Sequence, residues 1–204
     1  MGSFLSIRPA ANAQEASPFP LIGGVSLGRV EYLTFETKPD RKLENAFRTV
    51  LRHDFSGGFD FGWYSPPTYS YIKEDLNGDG RADAFVYLNN SLGSGSGGSH
   101  VWVFQSTNNG YHFVGRFLHT GALVVTPKKT SGWNNILVVP GKIDFDPSSF
   151  YSLCRFDPKI QIEIVRFDLF KYRNCQKIPR GSVISGRIII DKGRYSGNIP
   201  SHRL

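Results

Sequence analysis

The chain has 204 residues, of which 40% are hydrophobic and 14% aromatic, with 22 glycines and 12 prolines. This composition is that of a globular protein and excludes a disordered chain. The chain has no run of 18 consecutive apolar residues, so no transmembrane span is predicted. The net charge of +7 lies in the last third, because residues 1–127 carry 10 Lys/Arg against 11 Asp/Glu and residues 128–204 carry 14 against 6. A basic third predicts an acidic protein partner or an anionic envelope component; the alternative is a solvated basic face. The basic residues are dispersed and no nucleic-acid motif accompanies them, so no nucleic-acid partner is expected.

The N-terminal segment resembles the end of a secretory signal. The Ala-Ala-Asn-Ala sequence of residues 10–13 has the small side chains of a cleavage site. The apolar stretch before it is too short for a complete signal, so either most of the signal is missing or the pattern is accidental. We expect residues 1–17 to be disordered or a signal remnant ending near Ala13. Residues 18–204 are then a single β-rich domain of an extracytoplasmic protein, periplasmic or secreted.

Alternating apolar residues over 24–37 predict one or two strands, and one amphipathic helix follows them. Asp40 has the side chain of a helix N-cap, and the apolar residues after it recur at i, i+3, i+4, i+7 and i+8. These residues are Leu43, Ala46, Phe47, Val50 and Leu51. A single apolar stripe predicts a helix packed on a sheet. The expected fold class is therefore α+β, mainly β, with one or more antiparallel sheets and one N-terminal amphipathic helix packed against them.

Residues 55–71 form a loop rich in glycine, proline and aromatic side chains. Trp63 and Tyr64 lie at its centre. Such rings can form a platform for a glycan, a lipid or a protein partner, but more often they pack a long loop onto its own domain. Trp63 and Tyr64 are therefore candidate partner-binding residues.

Residues 75–83 have the spacing of a calcium loop. Oxygen-bearing side chains occupy loop positions 1, 3, 5 and 9, and Gly80 stands at position 6, where the chain must turn sharply. Ca²⁺ takes about six to eight oxygen ligands, and alternating Asp and Asn side chains around one glycine supply oxygens of the kind it needs. The predicted ligands are Asp75, Asn77, Asp79, Arg81 (through its backbone carbonyl) and Asp83. The β-prone run 84–88 follows, so the loop joins two strands, and a bound ion would brace the hairpin; the alternative is ordinary turn chemistry.

The rest of the chain predicts further strands. Residues 93–98 formally contain G-x-G-x-x-G, but a strand follows where a dinucleotide site needs a helix, so that cofactor is not expected. Strands are predicted at 100–106, 111–117, 123–126, 135–139, 161–172 and 183–190. Cys154 and Cys175 enclose 20 residues. In an exported protein they predict a disulfide worth about 3 kcal/mol, and in a cytosolic one two buried thiols.

The order of these segments resembles a known family. A helix is followed by TYSYIKEDLNGDGRADAFVYL, a Gly/Ser loop, VWVFQ, NGYHFVGRF and SGWNNILVV. This order resembles small bacterial envelope proteins, exported or lipoprotein-type, that carry a single DLNGDG hairpin, and the hairpin is similar to the calcium hairpins of FG-GAP (integrin-type) repeats. The resemblance covers about residues 43–157, leaves 158–204 as a basic extension, and implies the same five ligands for a structural Ca²⁺. Family members often have cysteines beside the Gly-rich loop, where this chain has Ser94 and Ser99, so the resemblance implies that the two cysteines staple the extension.

The residues indicate binding more than catalysis. The five histidines have no paired spacing, and no reaction is predicted from the carboxylates, so enzyme activity is uncertain and not favoured. We expect a non-catalytic, exported, calcium-braced module that binds a protein partner, as an inhibitor or immunity protein does. Its basic residues would face the partner: Arg155, Lys159, Arg166, Lys171, Arg173, Lys177 and Arg180. The alternatives are a glycan- or lipid-binding envelope module that uses loop 55–71, and a calcium-supported hydrolase.

Overall fold

The computed structural model describes residues 26–54, 67–89, 94–95, 98–140, 152–157, 172–179, 181–190 and 199–204. Its elements are β1 (Ser26–Tyr32), α1 (Arg41–Asp54), β2 (Thr68–Glu74), β3 (Asp83–Leu88), β4 (Ser94–Gly95), β5 (Gly98–Thr107), β6 (Gly110–Thr130), β7 (Trp133–Pro140), β8 (Ser152–Phe156), β9 (Tyr172–Lys177), β10 (Val183–Ile190) and β11 (His202–Arg203). Within these ranges, no helix has the length and hydropathy needed to cross a membrane.

The protein is mainly β, and the expected α+β class is wrong. The only helix within the described ranges, α1, has 14 residues, whereas eleven strands join one sheet. This helix is also not N-terminal to the sheet, because β1 precedes it in the chain and pairs with β10. The apolar stripe of α1 is a local pattern that predicts one helix. The fold class also depends on how many strands pair into a sheet, and the stripe carries no information about that pairing.

The sheet has the order β11-β2-β3-β5-β6-β7-β8-β9, and β10 pairs with both β6 and β1. The pairs along this order are antiparallel, as is β6–β10, and β1–β10 is parallel. Strand β6 has 21 residues and contains both strands predicted at 111–117 and 123–126. Its residues 122–125 pair with β10 on one side and with β7 on the other. The strand predicted at 161–172 lies outside the described residues except for its last residue.

Both faces of β3 are buried, and its side chains alternate between two apolar clusters. The helix-side cluster packs the α1 stripe against one face of β2, β3 and β5. It includes Leu43, Phe47, Val50, Leu51, Ala84, Val86, Leu88 and Trp102. The opposite-face cluster includes Phe85, Tyr87, Val103, Val125, Ile136 and Cys154. A third cluster of Ala122, Val124, Leu137, Val139, Ile184 and Ile188 joins β6, β7 and β10.

Asp40 joins the start of α1 to the sheet. Its Oδ1 accepts hydrogen bonds from the backbone N–H groups of Lys42 (3.1 Å) and Leu43 (3.2 Å), as an N-cap does. Its Oδ2 accepts hydrogen bonds from Lys73 Nζ (2.9 Å) and the Tyr111 hydroxyl (3.0 Å). Burial raises the pKa of the Asp40 carboxyl, but the hydrogen bond and charge of Lys73, together with the hydrogen bonds from Leu43 and Tyr111, bring this pKa below its ordinary value. One carboxylate therefore caps the helix and ties it to β2 and β6.

Candidate functional site

The loop of residues 75–83 connects β2 to β3, and its ends are paired in register at Glu74 and Asp83. Gly78 and Gly80 both have a φ of +80°, a backbone conformation that side chains other than glycine rarely adopt. Gly80 therefore makes the sharp turn that the sequence predicts, and Gly78 makes a second one. The two turns fold the loop back on itself.

The loop's side-chain oxygens accept hydrogen bonds from its own backbone. Asp75 accepts one hydrogen bond from the Gly78 N–H (2.7 Å) and another from the Gly80 N–H (3.0 Å). Two further bonds of this kind run from the Asp79 N–H to Asn77 Oδ1 (2.9 Å) and from the Arg81 N–H to Asp79 Oδ1 (2.8 Å). These are the local bonds by which Asp and Asn favour turns.

Basic side chains accompany the loop's carboxylates. The Arg81 guanidinium lies 2.8 Å from Asp79 Oδ2 and donates to Asn108 Oδ1 at 3.0 Å. The hydrogen bond from the Arg81 backbone, with its side chain, lowers the pKa of the Asp79 carboxyl below its ordinary value. Lys129 Nζ lies 2.8 Å from the place that a Cβ at residue 78 would occupy, so only glycine fits there without moving this ammonium.

Asp83 has no exposed surface and ties the loop to the neighbouring strand β5. Its Oδ2 accepts a hydrogen bond from the Leu76 N–H (3.0 Å), and its Oδ1 accepts one from the Ser106 N–H (2.8 Å). Burial raises the pKa of the Asp83 carboxyl to about 6, against the lowering effect of these two bonds. Asp83 is therefore a bracing residue at the base of the hairpin.

The five predicted calcium ligands have suitable oxygen atoms, but some of these atoms already accept hydrogen bonds or pair with a cation. Their carboxylate, amide and carbonyl oxygens are the chemistry that Ca²⁺ prefers. In the arrangement described above, both Asp83 oxygens are engaged by backbone N–H groups and Asp79 is paired with Arg81. Among the described residues, no three Asp, Glu, His or Cys side chains are placed together to hold a metal ion. The loop as it stands is a self-bonded turn, and calcium binding by Asp75, Asn77, Asp79, Arg81 and Asp83 stays a prediction.

The aromatic loop is described only at its end. Trp63 and Tyr64 lie outside the described residues. Tyr69 and Tyr71, at the loop's C-terminal end, are buried on β2 in the helix-side cluster. The described rings of this segment therefore pack the core and do not form a surface platform.

The predicted disulfide is confirmed. Cys154 on β8 is bonded to Cys175 on β9, and these strands are antiparallel neighbours. Cys154 is buried in the opposite-face cluster, whereas Cys175 is exposed. The bond therefore fastens β9, the last strand in the sheet order, to the core.

The predicted basic residues lie partly on this β8–β9 ribbon (Ser152–Phe156 with Tyr172–Lys177). Arg155 and Arg173 are direct partners in the register, and Lys177 is the partner of Ser152. The Arg155 guanidinium donates to Gln176 Oε1 at 3.1 Å across the two strands. Lys159, Arg166, Lys171 and Arg180 lie outside the described residues.

A polar cavity of about 520 Å³ lies where β1, β10, the β6–β7 hairpin and the start of the 75–83 loop meet. Its charged lining residues are Arg29, Glu31, Asp75, Lys129 and Arg187. Sequence reasoning found only Asp75 among them. No local pattern points to the others, because Arg29 and Arg187 are 158 positions apart in the chain and meet only through the β1–β10 pairing.

Comparison of the chain with protein-family models, with curated proteins and with solved structures found no match. Its function therefore has to be inferred from the geometry of its residues. The resemblance to DLNGDG-hairpin envelope proteins stays an expectation.

Proposed function

We propose that the protein is a non-catalytic, exported binding module whose β8–β9 ribbon docks an acidic protein partner. The observation that carries this proposal is the register of the ribbon, in which Arg155 and Arg173 are opposite each other. Like charges placed directly opposite on neighbouring strands destabilise a sheet. A partner carboxylate between the two positions would reverse that effect.

The position of the ribbon supports the same function. Strand β9 ends the sheet order, and within the described ranges it pairs only with β8. The disulfide holds this terminal strand to β8, so the backbone that carries the charged residues is braced. A rigid, charged surface loses little conformational entropy on binding, which favours affinity for a complementary surface.

The other candidate functions have less support. The glycan- or lipid-binding alternative relied on loop 55–71, and the rings described there are buried. A hydrolase would need converging catalytic groups. His202, for example, lies against the rings of Tyr69 and Tyr71, and its Nε2 is 3.1 Å from the Glu36 carbonyl oxygen, which is a packed position.

The test is binding of fluorescently labelled poly-L-glutamate, measured by anisotropy at low and at physiological salt. The ribbon variant is Arg155→Glu with Arg173→Glu, the two opposed positions. The matched control is Lys42→Glu with Arg52→Glu on the exposed face of α1. Each variant changes the net charge by −4, from +7 to +3, so the two differ only in where the charge is lost.

The wild-type protein should bind the polyanion with an affinity that falls as salt is added, because a salt concentration of 0.15 M reduces the Debye length to about 8 Å. The ribbon variant should bind about tenfold or more weakly, and the control should remain within about threefold of wild type. Equal weakening of both variants would show that net charge alone drives binding. Absence of binding at low salt would also refute the proposal.

The calcium part of the proposal has its own measurement. We propose that residues 75–83 take up Ca²⁺ after Arg81 leaves Asp79, and that the ion braces the β2–β3 hairpin. Calorimetric titration of calcium into the metal-free protein should give a saturable heat that Asp79→Ala removes. A ligand that binds only the folded state also raises the melting temperature. No heat and no change in melting temperature would leave the loop as turn chemistry alone.

A further inference from the structure

The polar cavity between β1 and the β6–β7 hairpin is built by close backbone packing. In the parallel β1–β10 register, Glu31 is the partner of Arg187 and Val30 is the partner of Gly186. Gly186 has a φ of +144°, and a Cβ at this position would lie 2.3 Å from the Val125 carbonyl oxygen. Glycine therefore lets β10 pass against β6 and brings charges from distant segments to one cavity.

Some of the charged side chains that line the cavity are paired with other protein groups, and others have no partner of opposite charge among the described residues. Arg187 Nη2 lies 2.9 Å from Glu74 Oε1, so this guanidinium is paired. Asp75 accepts its two hydrogen bonds from the loop backbone. Within the described part of the chain, Arg29 and Lys129 have no carboxylate partner, and they line the same cavity as Glu31 and Ser185.

The unused groups are mostly donors. A guanidinium offers five N–H donors, an ammonium offers three and a hydroxyl offers one, whereas Glu31 offers only acceptors. Arginine binds phosphate and carboxylate groups through two parallel hydrogen bonds, and lysine adds a point charge. The cavity volume of about 520 Å³ lies in the range of small-molecule sites, which is about 300–1,000 Å³.

We propose that this cavity binds a small ligand with a phosphate or carboxylate at one end and an amino or hydroxyl group at the other. Arg29 and Lys129 hold the oxyanion, assisted by Ser185, and Glu31 accepts hydrogen bonds from the donor end. The site shares no residue with the β8–β9 ribbon, so it is independent of the docking function proposed above. It shares Asp75 with the 75–83 loop, and this carboxylate is not among the groups that hold the ligand.

The probes are inorganic phosphate, acetate and phosphoethanolamine, titrated by calorimetry in a zwitterionic buffer without divalent metals. Arg29, Glu31 and Lys129 are exposed, so their glutamine variants should keep the fold, and circular dichroism checks this. Arg29→Gln and Lys129→Gln should each weaken phosphate binding about tenfold, which is the effect of one charge-assisted hydrogen bond. Acetate shows whether a carboxylate is accepted in place of phosphate.

Two matched controls separate the site from general charge. Lys128→Gln removes the neighbouring exposed ammonium, which does not line the cavity, and Arg52→Gln removes a guanidinium on α1. Both controls should bind phosphate as the wild-type protein does. Phosphoethanolamine should bind more tightly than phosphate, and Glu31→Gln should abolish that difference. The proposal is overturned if neither phosphate nor acetate binds saturably, if the controls weaken binding as much as the cavity variants, or if Glu31→Gln leaves the preference unchanged.

Discussion

Replacing Asp40 tests whether one carboxylate holds α1 to the sheet. Asp40→Ala removes an N-cap, which costs about 1 kcal/mol. It also removes the pair with Lys73, whose side chain is 30% exposed against 19% for Asp40. This pair is partly solvated, so we assign it about 1 kcal/mol, and the hydrogen bond from Tyr111 about 1 kcal/mol more.

The sum is about 3 kcal/mol, which corresponds to a fall of about 6–12 °C in melting temperature for a protein of this size. Asp40→Asn keeps an acceptor for the helix cap and should recover about 1 kcal/mol of this loss. The assay is urea and thermal unfolding of both variants, of Lys73→Met and of the double variant Asp40→Ala/Lys73→Met, which closes a double-mutant cycle. A coupling near zero between residues 40 and 73 would refute the assignment of the pair.

The pH dependence gives a second check on Asp40. The pKa of this carboxyl is lower in the folded protein than its ordinary value of 3.8. Its contribution to the free energy of unfolding is therefore fully present above pH 3.8 and is lost as the pH falls through the folded pKa. The difference in stability between wild type and Asp40→Asn should shrink below about pH 4. A difference that grows on acidification would contradict this reasoning.

Two further predictions concern Asp83 and the disulfide. Asp83→Ala leaves the buried N–H group of Leu76 and the half-buried N–H group of Ser106 without acceptors, so urea unfolding at pH 7 should show a loss of about 2–4 kcal/mol. The pKa of Asp83 is about 6 in the folded state and 3.8 ordinarily, so its effect on stability is most favourable below pH 3.8 and is lost as the pH rises through 6. The stability of wild type relative to Asp83→Asn should therefore increase from pH 7 to pH 5, and a flat profile would contradict the burial argument. Cys175→Ser should lower stability by about 3 kcal/mol and make the melting temperature insensitive to a thiol reductant; wild type melting equally with and without reductant would refute a stabilising bond.

Local features of the fold were readable from the sequence, whereas long-range features were not. The Asp40 cap and the apolar spacing after it lie within three turns of α1, so their pattern is visible in a short window. The pairing of β1 with β10 joins residues such as Ser26 and Val183, and no short window contains both. The predicted fold class was wrong for the same reason. The helix is visible in a short window and was given too much weight, whereas the single sheet forms by pairing between strands that are far apart in the sequence.

The candidate sites show the same division. The spacing of residues 75–83 predicts an oxygen-rich loop with a sharp turn at Gly80, and the second turn, at Gly78, was not predicted. The engagement of Asp83 with the Ser106 N–H could not be predicted, because it depends on β5 lying beside β3. The disulfide could be predicted from two cysteines and the expectation that the protein is exported, but the opposed arginines of the ribbon required the strand register.

The parallel pairing of β1 with β10 has a consequence for how the chain is made. Ser26 and Val183 are 157 positions apart, so β1 leaves the ribosome long before its partner strand exists. Contacts between residues so far apart in the sequence slow folding, and a strand without its partner is prone to aggregation until the partner has been synthesised. Arg29 and Glu31 are exposed charged residues on β1, and charged side chains on an unpaired strand oppose its aggregation. Nascent chains that end before residue 183 should therefore keep β1 accessible to proteases, and full-length chains should protect it.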